Sequence, residues 1–549
     1  TGGVLMDVVR ISILDTLIIV AYFIGIVSLG IWISKSKVKS GEDLFLAGRD
    51  SSWPVLGASL FSTNISSQQF VGQAGLAFSV GIVAGAFQMV GALAFTFLAM
   101  FFLEAYMGLR LYTSPEFFEK RYSRGSRSFV SGINMLMMVS ANVAAALYAG
   151  ATVLTVILGW DSNALFWTAV IVLAATTGAY TVLGGLRSVL WTDFAQTFIL
   201  VIGGVVTLVV SVAAAGGIDQ VLMLKDSQGM SMWSMYRPWN HDFGWLPFVT
   251  GVIILGVHGH CTDHDYVQRA LAAKSLYHAK MGAIFAAFLK VLALFIIAAP
   301  GVVAASLFPN LQNGDAAYAR IIVEFMPIGL KGLVLAGLIA AIMSSVSSGL
   351  NATAALITFD FIGKRKPDMT DEQTVKIGRY LMIGILLICT AWAPFIRDFK
   401  GLFNYLLQVW ALIAPPVFVT VIFGLFYKKA NSKGAIATLT VGSVLGAITF
   451  AILNMAALAQ VKANLPIYFQ NKLNDGFIIT LICVAVMLIV SHYTGSTPED
   501  LAKAEAIRTS KTTEKMSDEE NKKYRYVLIG LFVFWFAVLG LFSPLGLGS

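Results

Sequence analysis

The sequence predicts an all-α polytopic membrane protein with about 14 transmembrane helices, arranged around two inverted repeats of five helices each. Three observations lead to this fold class. Of the 549 residues, 57% are apolar and only 12% are charged, and the mean hydropathy is +0.77. Apolar runs of about 20 residues, long enough to cross a bilayer, recur between short polar loops. Two of these runs are interrupted by polar residues at corresponding places in the two halves of the chain.

The predicted spans follow one another along the whole chain, and each is an apolar run bounded by polar or charged residues. They are centred near residues 12–34, 53–75, 80–107, 128–158, 163–183, 188–214, 245–263, 276–306, 328–362, 376–396, 402–427, 434–457, 475–492 and 526–546. The predicted organisation is an extra helix with a cytoplasmic loop (1–52), the first repeat (53–215), an external loop (216–244), the second repeat (245–428) and peripheral helices (429–549) that include a cytoplasmic linker (493–525).

The distribution of basic residues predicts the orientation of the chain. A net charge of +8 alone is compatible with a nucleic-acid partner, but most Lys and Arg residues fall in loops on one side of the predicted membrane. Because basic loops face the cytoplasm, both termini are expected to be external. We therefore expect the chain to lie in the lipid bilayer of a plasma membrane, as a bacterial inner-membrane protein does. We expect no nucleic-acid partner. The oligomeric state is left open.

Two spans carry polar residues at the expected depth of the bilayer centre. The first contains GASLFSTNISSQQ at 57–69, and the second places Gly, His, Thr and Asp residues within 251–265. Broken helices expose backbone groups that must bind an ion, a solute or water, so these interruptions predict a buried binding site between the repeats. The alternative is that Ser, Thr and Gly only hold neighbouring helices together, and the Asn and two Gln of the first interruption argue against it.

A serine-rich segment and one carboxylate suggest a site for a hard cation. Residues 340–348 contain four serines, of which Ser344, Ser347 and Ser348 share one face of a helix. Hydroxyl oxygens suit sodium, although serines in membrane helices also bond back to their own helix. Asp193 lies about one turn inside a span, where a carboxylate is costly and indicates function. Its alternative is a helix-end residue in contact with cytoplasmic water.

The remaining motifs favour a transporter over an enzyme. Lys290 has long apolar stretches on both sides, so we expect it to bind solute oxygens or to pair across the bundle rather than to reach an interface. The His, Cys and Asp residues of 258–265 fit no usual zinc spacing. No nucleotide-binding loop, nucleophile elbow or zinc-protease motif is present. The sequence therefore predicts transport that is driven by an ion gradient, without a cofactor.

Four segments resemble the sodium/solute symporter family, and within it the sodium/glucose cotransporter branch. They are GASLFSTNISSQQFVG at 57–72, TVLGGLRSVLWTD at 181–193, CTD at 261–263 with VQRALAAKS at 267–275, and SSVSSGLNAT at 344–353. The resemblance implies the leucine-transporter fold and import of a small polar solute, a sugar or sugar derivative, with sodium as the coupling ion. The alternatives are a sodium-coupled transporter of an amino acid, polyol or organic anion, and a gradient sensor or channel.

The resemblance also implies the positions of the binding residues. The main sodium site would consist of the carbonyl oxygens of Ser62, Ile65 and Ala341 with the hydroxyls of Ser344 and Ser345. A second sodium site would combine Asp193 with Ser344, Ser347 and Ser348. The solute site would comprise Asn64, Gln69, Phe87, Gln88, His260, Asp263, Lys290 and Gln408.

Several positions depart from the family pattern. Gln88 replaces an acidic residue that binds sugar, and Gly259 and His260 replace a gating tyrosine and its tryptophan neighbour. Three further positions are apolar where polar contacts are usual, namely Gly91, Gly256 and Leu407. Because glycine in place of tyrosine opens volume, we expect a solute that is larger than a hexose or is seated differently. The span 128–158 has no arginine to clamp a carboxylate, which argues against an acidic sugar.

Overall fold

The computed structural model of the chain is all-helical in the part that it describes, apart from two isolated β-bridges. It describes residues 11–34, 38–65, 68–158, 160, 162–239, 241, 243–311, 314–366, 368–393, 396, 402–454, 460, 464, 472–511 and 515–549. The helices of the first half are α1 Ile13–Ser34, α2 Gly41–Leu46, α3 Trp53–Asn64, α4 Ala74–Val80, α5 Ala86–Phe97, α6 Leu103–Gly108, α7 Glu116–Arg121, α8 Arg124–Met137, α9 Ala144–Leu158, α10 Asn163–Ala214 and α11 Ile218–Leu222.

The second half of the chain is also built of helices. Its helices are α12 Trp245–Pro247, α13 Ile253–Cys261, α14 His264–Leu271, α15 Leu276–Ala293, α16 Ala299–Leu307, α17 Ala317–Phe325, α18 Leu330–Leu356, α19 Gly363–Arg365, α20 Asp371–Trp392, α21 Leu402–Phe426, α22 Ser432–Asn454, α23 Lys472–Thr494, α24 Pro498–Ser510 and α25 Asp518–Leu541. Single π-helical turns join α5 to α6, α8 to α9, α12 to α13, α15 to α16 and α18 to α19, so that each of these pairs continues as one long helix.

Within the described residues, ten helical stretches are long and apolar enough to cross a membrane, and the bent helix that contains α13 and α14 makes eleven. The other predicted spans coincide with the broken helix that contains α3 and α4, with the second part of α10, and with α21. Neither half of the first broken helix reaches the length of a span by itself, because the chain leaves the helical conformation between them. The all-α membrane fold is therefore confirmed, and the number fourteen stays a prediction.

The longest helix, α10, contains 52 residues, or about 78 Å at 1.5 Å per residue, which is more than twice a hydrocarbon core. Gly185 divides it, with φ 57° and ψ −157°. A Cβ atom at this position would lie 2.4 Å from the carbonyl oxygen of Leu44, so only glycine fits the kink. The two parts correspond to the separately predicted spans 163–183 and 188–214.

Helix α18 occupies the centre of the fold. It packs against α1, α3, α10, α14 and α20. In the continuous stretch Leu330–Arg365, 94% of the most apolar 18 residues are buried inside the protein. Small residues permit this close packing: a Cβ atom on Gly349 would lie 2.4 Å from Cγ2 of Val143. The serine segment 344–348 is therefore surrounded by protein rather than lipid, with Ser344 fully buried and Ser345 only 8% exposed.

Both predicted interruptions are present as breaks between helices. Helix α3 ends at Asn64, and Ile65 follows with the non-helical dihedral angles φ −85° and ψ 89°. Helix α13 ends at Cys261, and Asp263 is extended before α14 begins, with a bend of 46° between the two segments. Because the last carbonyl groups of a helix have no helical partner, each break leaves backbone oxygens available to a ligand.

The cytoplasmic linker predicted at 493–525 contains α24, which is fixed to the rest of the fold by Asp500. This carboxylate accepts hydrogen bonds from the hydroxyl of Thr497 at 2.7 Å and from the hydroxyl and amide of Ser432 at 2.8 and 3.1 Å. Lys503 also donates to the carbonyl oxygen of Tyr122 at 2.7 Å. Burial alone would raise the pKa of Asp500, but the hydrogen bonds from Thr497 and Ser432 outweigh it and hold the pKa below its ordinary value.

We expect Asp500→Ala to lower the stability of the purified protein by about 1–2 kcal/mol, because the variant loses the Asp500 half of the capping box of α24 and the bonds to Ser432. Because the pKa of Asp500 is lowered in the folded protein, its contribution is present at neutral pH and is lost as the pH falls below the ordinary value of 3.8. Thermal unfolding in detergent as a function of pH measures both effects. Glu499→Ala, one residue earlier and largely exposed, should leave the unfolding temperature unchanged, and an equal loss in both variants would contradict this role.

Candidate functional site

A cavity lies between the two helix breaks, with an empty volume of about 840 Å³ that includes space open to solvent. Seven of the eight residues that the sequence analysis assigned to a solute site line it, namely Asn64, Gln69, Phe87, Gln88, His260, Asp263 and Lys290. The side chain of the eighth, Gln408, lies outside the described residues, although Trp410 on the same helix lines the cavity. The fold thus brings together side chains from α3, α5, α13, α15 and α21.

Lys290 organises the polar wall of this cavity. It is only 3% exposed, and its Nζ donates hydrogen bonds to Oδ1 of Asn64 and Oε1 of Gln88. Gln88 in turn donates to Gln73, whose Nε2 donates to the carbonyl oxygen of Ala84 at 2.7 Å. In the part of the chain that the structure describes, no carboxylate lies within 4.0 Å of the Lys290 ammonium. The charge is therefore held by two amides across the bundle, which leaves its remaining donor for a solute.

An aromatic floor closes the other side of the cavity. The rings of His260 and Tyr266 stack with their centroids 5.1 Å apart, and Phe95 meets His260 edge-on at 4.5 Å. The amide of Asn64 donates to the Tyr266 hydroxyl at 2.7 Å and lies 3.3 Å from Nε2 of His260. Since the Gly256 carbonyl at 2.9 Å can only accept, Nδ1 of His260 carries the proton and Nε2 accepts from Asn64.

Phe87 covers the cavity from the side of the loop before α12. Its ring contacts Phe248 at a centroid distance of 5.4 Å and Phe243 at 6.2 Å. At Gly259, where the resemblance implied the loss of a gating tyrosine, no atom of the described residues lies within 4 Å of the position of a Cβ atom. The volume that the sequence analysis expected at this glycine is therefore open in the structure.

Gly91 makes room for the Lys290 side chain. A Cβ atom on Gly91 would lie 2.6 Å from Cε of Lys290 and 3.3 Å from Nε2 of His260. The resemblance implied a polar contact at position 91. A glycine fits there because the Lys290 side chain fills the space.

We expect Gly91→Ala to move the Lys290 ammonium away from Asn64 and Gln88, and to raise the solute concentration for half-maximal transport by about tenfold, equivalent to one charged hydrogen bond. Uptake kinetics in proteoliposomes measure this change. Gly132→Ala is the matched control, because no atom lies within 4 Å of a Cβ at that helical glycine. Unchanged uptake kinetics in Gly91→Ala would show that the position of Lys290 does not matter.

A second, smaller cavity connects the solute cavity to the serine helix. It shares several lining residues with the first, namely Asn64, Gln69, Asn142, Tyr266 and Trp410. It then reaches Thr63, Ser345 and Asp265. A solute in the larger cavity and an ion beside Ser345 would therefore contact the same side chains.

The residues assigned to the main sodium site lie at the contact between α3 and α18. The hydroxyl of Ser62 donates to that of Ser344 at 3.1 Å, and the hydroxyl of Ser345 donates to the carbonyl oxygen of Ala341 at 3.0 Å. Ile65, at the first helix break, is fully buried. Ser345 thus makes the back-bond that the sequence analysis kept as an alternative. The Ser345 oxygen retains its own lone pairs, whereas the Ala341 carbonyl, inside the continuous helix α18, already accepts the helical N–H of residue 345 and the Ser345 hydroxyl. A cation that binds both oxygens would therefore replace the hydroxyl-to-carbonyl bond.

Asp193 is fully buried, so the alternative of a helix-end residue in contact with water is wrong. Its Oδ2 accepts a hydrogen bond from the Ser59 hydroxyl at 2.5 Å, whereas Oδ1 makes no hydrogen bond within 3.5 Å to the residues that the structure describes, although the Ser344 hydroxyl is near the carboxylate. Of the serines grouped with it, Ser347 donates to the carbonyl of Ser344 at 2.9 Å, and Ser348 lies 3.3 Å from the Thr63 hydroxyl. A buried carboxylate oxygen without a donor is what a cation site would present.

Three functional candidates were not assigned by the sequence analysis. Arg269 donates to Ser348 and lies 3.5 Å from Oδ2 of Asp193, so a guanidinium lies beside the residues predicted for a second sodium site. Asp265 forms an ion pair with Arg269 at 2.8 Å. Tyr266 completes the floor of the solute cavity. Their position directly after the second helix break was the available signal, since residues that flank a break in a membrane helix line a cavity.

Comparison with known proteins places these features in one family. A family model described as sodium:solute symporter family matches residues 44–442. Sodium/myo-inositol cotransporter 2 of Mus musculus is 31% identical over 86% of this chain and 76% of its own length. The sodium/glucose cotransporter of Vibrio parahaemolyticus is 30% identical over 89% of this chain and 93% of its own length.

Solved structures show the same fold. A substrate-bound, outward-open Na⁺-coupled sialic acid symporter matches 89% of this chain and 99% of its own, with a TM-score of 0.76 and 22% identity. A nucleobase-cation-symport-1 family transporter matches with a TM-score of 0.52 and 14% identity. The family match covers both helix breaks, the serine helix and the cavity between them. This chain belongs to the sodium:solute symporter family, and it is a multi-pass sodium-coupled symporter of the plasma membrane rather than an enzyme.

Proposed function

We propose that this symporter imports a neutral sugar or sugar-type polyol, bound in the cavity between the two helix breaks. The observation that carries the proposal is the composition of the cavity wall. Asn64, Gln69 and Gln88 place amide groups on this wall, and the oxygens of Asn64 and Gln88 each accept one bond from Lys290 and keep a second lone pair, which suits a ring bearing several hydroxyls. The stacked His260 and Tyr266 provide an apolar surface for the face of such a ring.

The charges on the cavity wall favour a solute without net charge. One basic and one acidic side chain, Lys290 and Asp263, line the same cavity, so the wall is not dominated by residues of one sign. No arginine lines it among the described residues, so a carboxylate would find no bidentate clamp. The relatives named for myo-inositol and glucose have solutes of the neutral, polyhydroxylated class. The open space beside Gly259 supports a solute as large as a hexose or larger.

Two sodium ions accompany the solute in this proposal. The first is bound by the carbonyl oxygens of Ser62, Ile65 and Ala341 and the hydroxyls of Ser344 and Ser345, supported by the contact between α3 and α18. The second is bound by Asp193 with Ser344, Ser347 and Ser348, supported by the unpartnered Oδ1 of Asp193. Both ions are hard cations with oxygen ligands only.

The topology we propose is fourteen spans with both termini external and two inverted repeats, 53–215 and 245–428. Corresponding breaks in the first helix of each half support it. Sodium binding at the first break orders the shared side chains Asn64 and Gln69, which line both cavities, and so prepares the solute site. Rocking of one repeat against the other then exposes ion and solute to the cytoplasm.

The energy available agrees with active import. At 100 mV and a tenfold sodium gradient, each ion contributes about 2.3 plus 1.4 kcal/mol. Two ions therefore support accumulation of a neutral solute by roughly five orders of magnitude, and one ion by between two and three.

Solute uptake by proteoliposomes tests the proposal. We expect an inward sodium gradient to drive accumulation of labelled myo-inositol or glucose, and an equal potassium gradient to drive none. Counterflow with unlabelled sugars, polyols, amino acids and organic anions identifies the solute class. Sodium-driven uptake of an amino acid or organic anion alone would overturn the assigned solute class, and sodium conduction without any solute would indicate a channel.

A further inference from the structure

A buried ionic cluster surrounds the guanidinium of Arg269. Its Nη1 donates to Oδ1 of Asp265 at 2.8 Å and to the Asp265 carbonyl at 2.7 Å. Its Nε donates at 2.9 Å to Ser59, which itself donates to Oδ2 of Asp193. Its Nη2 donates to the Ser348 hydroxyl and lies 3.5 Å from the same Asp193 oxygen. One side chain on α14 thus contacts α3, α10 and α18.

The guanidinium is shared unequally between the two carboxylates. It makes a direct hydrogen bond to the side chain of Asp265, but it reaches Asp193 only at ion-pair distance. Among the described residues, none donates a hydrogen bond to Oδ1 of Asp193 within 3.5 Å, although the side chain is fully buried. Two carboxylates and one guanidinium sum to one negative charge. A buried net charge is costly, and one monovalent cation on the free oxygen would neutralise it.

An arginine beside a carboxylate normally takes both of its oxygens in a bidentate pair. Here the hydrogen bonds to Asp265 hold the guanidinium away from that arrangement with Asp193. Arg269 and a sodium ion therefore compete for the same carboxylate, and the charge at position 265 decides how strongly the arginine competes.

We propose that Arg269 is a tethered competitor for the second sodium site, and that Asp265 holds its guanidinium back so that one oxygen of Asp193 stays free for the ion. This inference rests on the proposed second sodium site and deepens it. Both residues are positioning residues, because neither is among the ion's own ligands. Since Arg269 lies on α14, after the second helix break, movement of α14 relative to α10 would also change the competition during the transport cycle.

Two substitutions should shift sodium affinity in opposite directions. In Asp265→Asn the guanidinium is attracted to Asp193 alone, so the sodium concentration for half-maximal binding should rise about tenfold or more. In Arg269→Gln the competitor is absent, so this concentration should fall by a similar factor. The measurement is equilibrium binding of radioactive sodium to the purified full-length protein, with choline chloride maintaining the ionic strength. The sodium-to-solute flux ratio in proteoliposomes should fall from two towards one in Asp265→Asn.

The controls separate competition from loss of structure. Asp226→Asn removes the carboxylate of another Asp–Arg pair, in which Asp226 lies 2.7 Å from the buried Arg237, and should leave sodium binding unchanged. The double variant Asp265→Asn with Arg269→Gln keeps the net charge of the cluster and should restore the binding that Asp265→Asn loses. It also provides the test if either single variant fails to fold.

Weaker sodium binding in both single variants, or in the double variant, would show that the cluster is only structural and would overturn the inference. Unchanged binding in Asp265→Asn would do the same. These results are distinct from failure of the proposed function, in which the wild-type protein itself would show no sodium-driven solute uptake.

Discussion

Lys290→Ala is expected to raise the solute concentration for half-maximal transport by between about tenfold and a hundredfold. The substitution removes the only ammonium that the described residues place on the cavity, and it leaves the amides of Asn64 and Gln88 without their charged partner. Each lost hydrogen bond to a charged group costs about 1.5–3 kcal/mol, and every 1.4 kcal/mol is a factor of ten. Initial uptake rates over a range of solute concentrations, at saturating sodium, measure the effect.

Lys280→Ala is the matched control for Lys290→Ala. Lys280 lies on the same helix and is also buried, but it pairs with Glu104 at 2.6 Å and does not line the cavity. This variant should keep the half-saturating solute concentration of the wild type, even if its unfolding temperature falls. If Lys290→Ala keeps the solute affinity of the wild type, this cavity is not the solute site.

Ser345→Ala is expected to raise the sodium concentration for half-maximal uptake by between about fivefold and a hundredfold, while the protein remains folded. The hydroxyl of Ser345 is one of the proposed sodium ligands, and the smaller cavity places it beside the residues that bind solute. Because the one hydrogen bond that this hydroxyl makes to the described residues is a back-bond to Ala341, its removal leaves none of their side chains unpaired. The loss should therefore appear in ion dependence rather than in stability.

Thr353→Val controls for the loss of a buried hydroxyl on this helix. Thr353 is fully buried on α18 and makes the same type of back-bond, to the carbonyl of Gly349 at 2.7 Å, but it lies about two turns away from Ser345. Its sodium dependence should match that of the wild type. An equal change in both variants would mean that the effect comes from the helix and not from a sodium site.

The sequence predicted the parts of the site that depend on local chemistry. A lysine within a long apolar helix, and a run of Asn and Gln in a membrane span, are costly unless they face a cavity. We therefore expected a cavity to be lined by Lys290, Asn64 and Gln69. In the structure all three line the solute cavity. The kink at Gly185 was likewise foreseeable, since two separate spans were expected on either side of it.

The parts that the sequence did not predict depend on tertiary packing. Arg269 contacts Ser348, 79 residues further along the chain, and Ser59, 210 residues before it. The rotation of α14 after its 46° bend decides which of its side chains turn inwards, and no local pattern encodes that angle. The family motif contained Arg269, but only the fold reveals that it stands beside Asp193.

Sodium-driven import by this chain requires that backbone oxygens freed at the first helix break and the hydroxyls of α18 bind a sodium ion. Equilibrium binding of radioactive sodium to the purified protein, with and without Ser344→Ala and Ser345→Ala together, measures whether they do. We expect saturable binding in the wild type, strengthened by the transported solute, and loss of at least one bound ion in the double variant. Identical sodium binding by the two proteins would contradict the account.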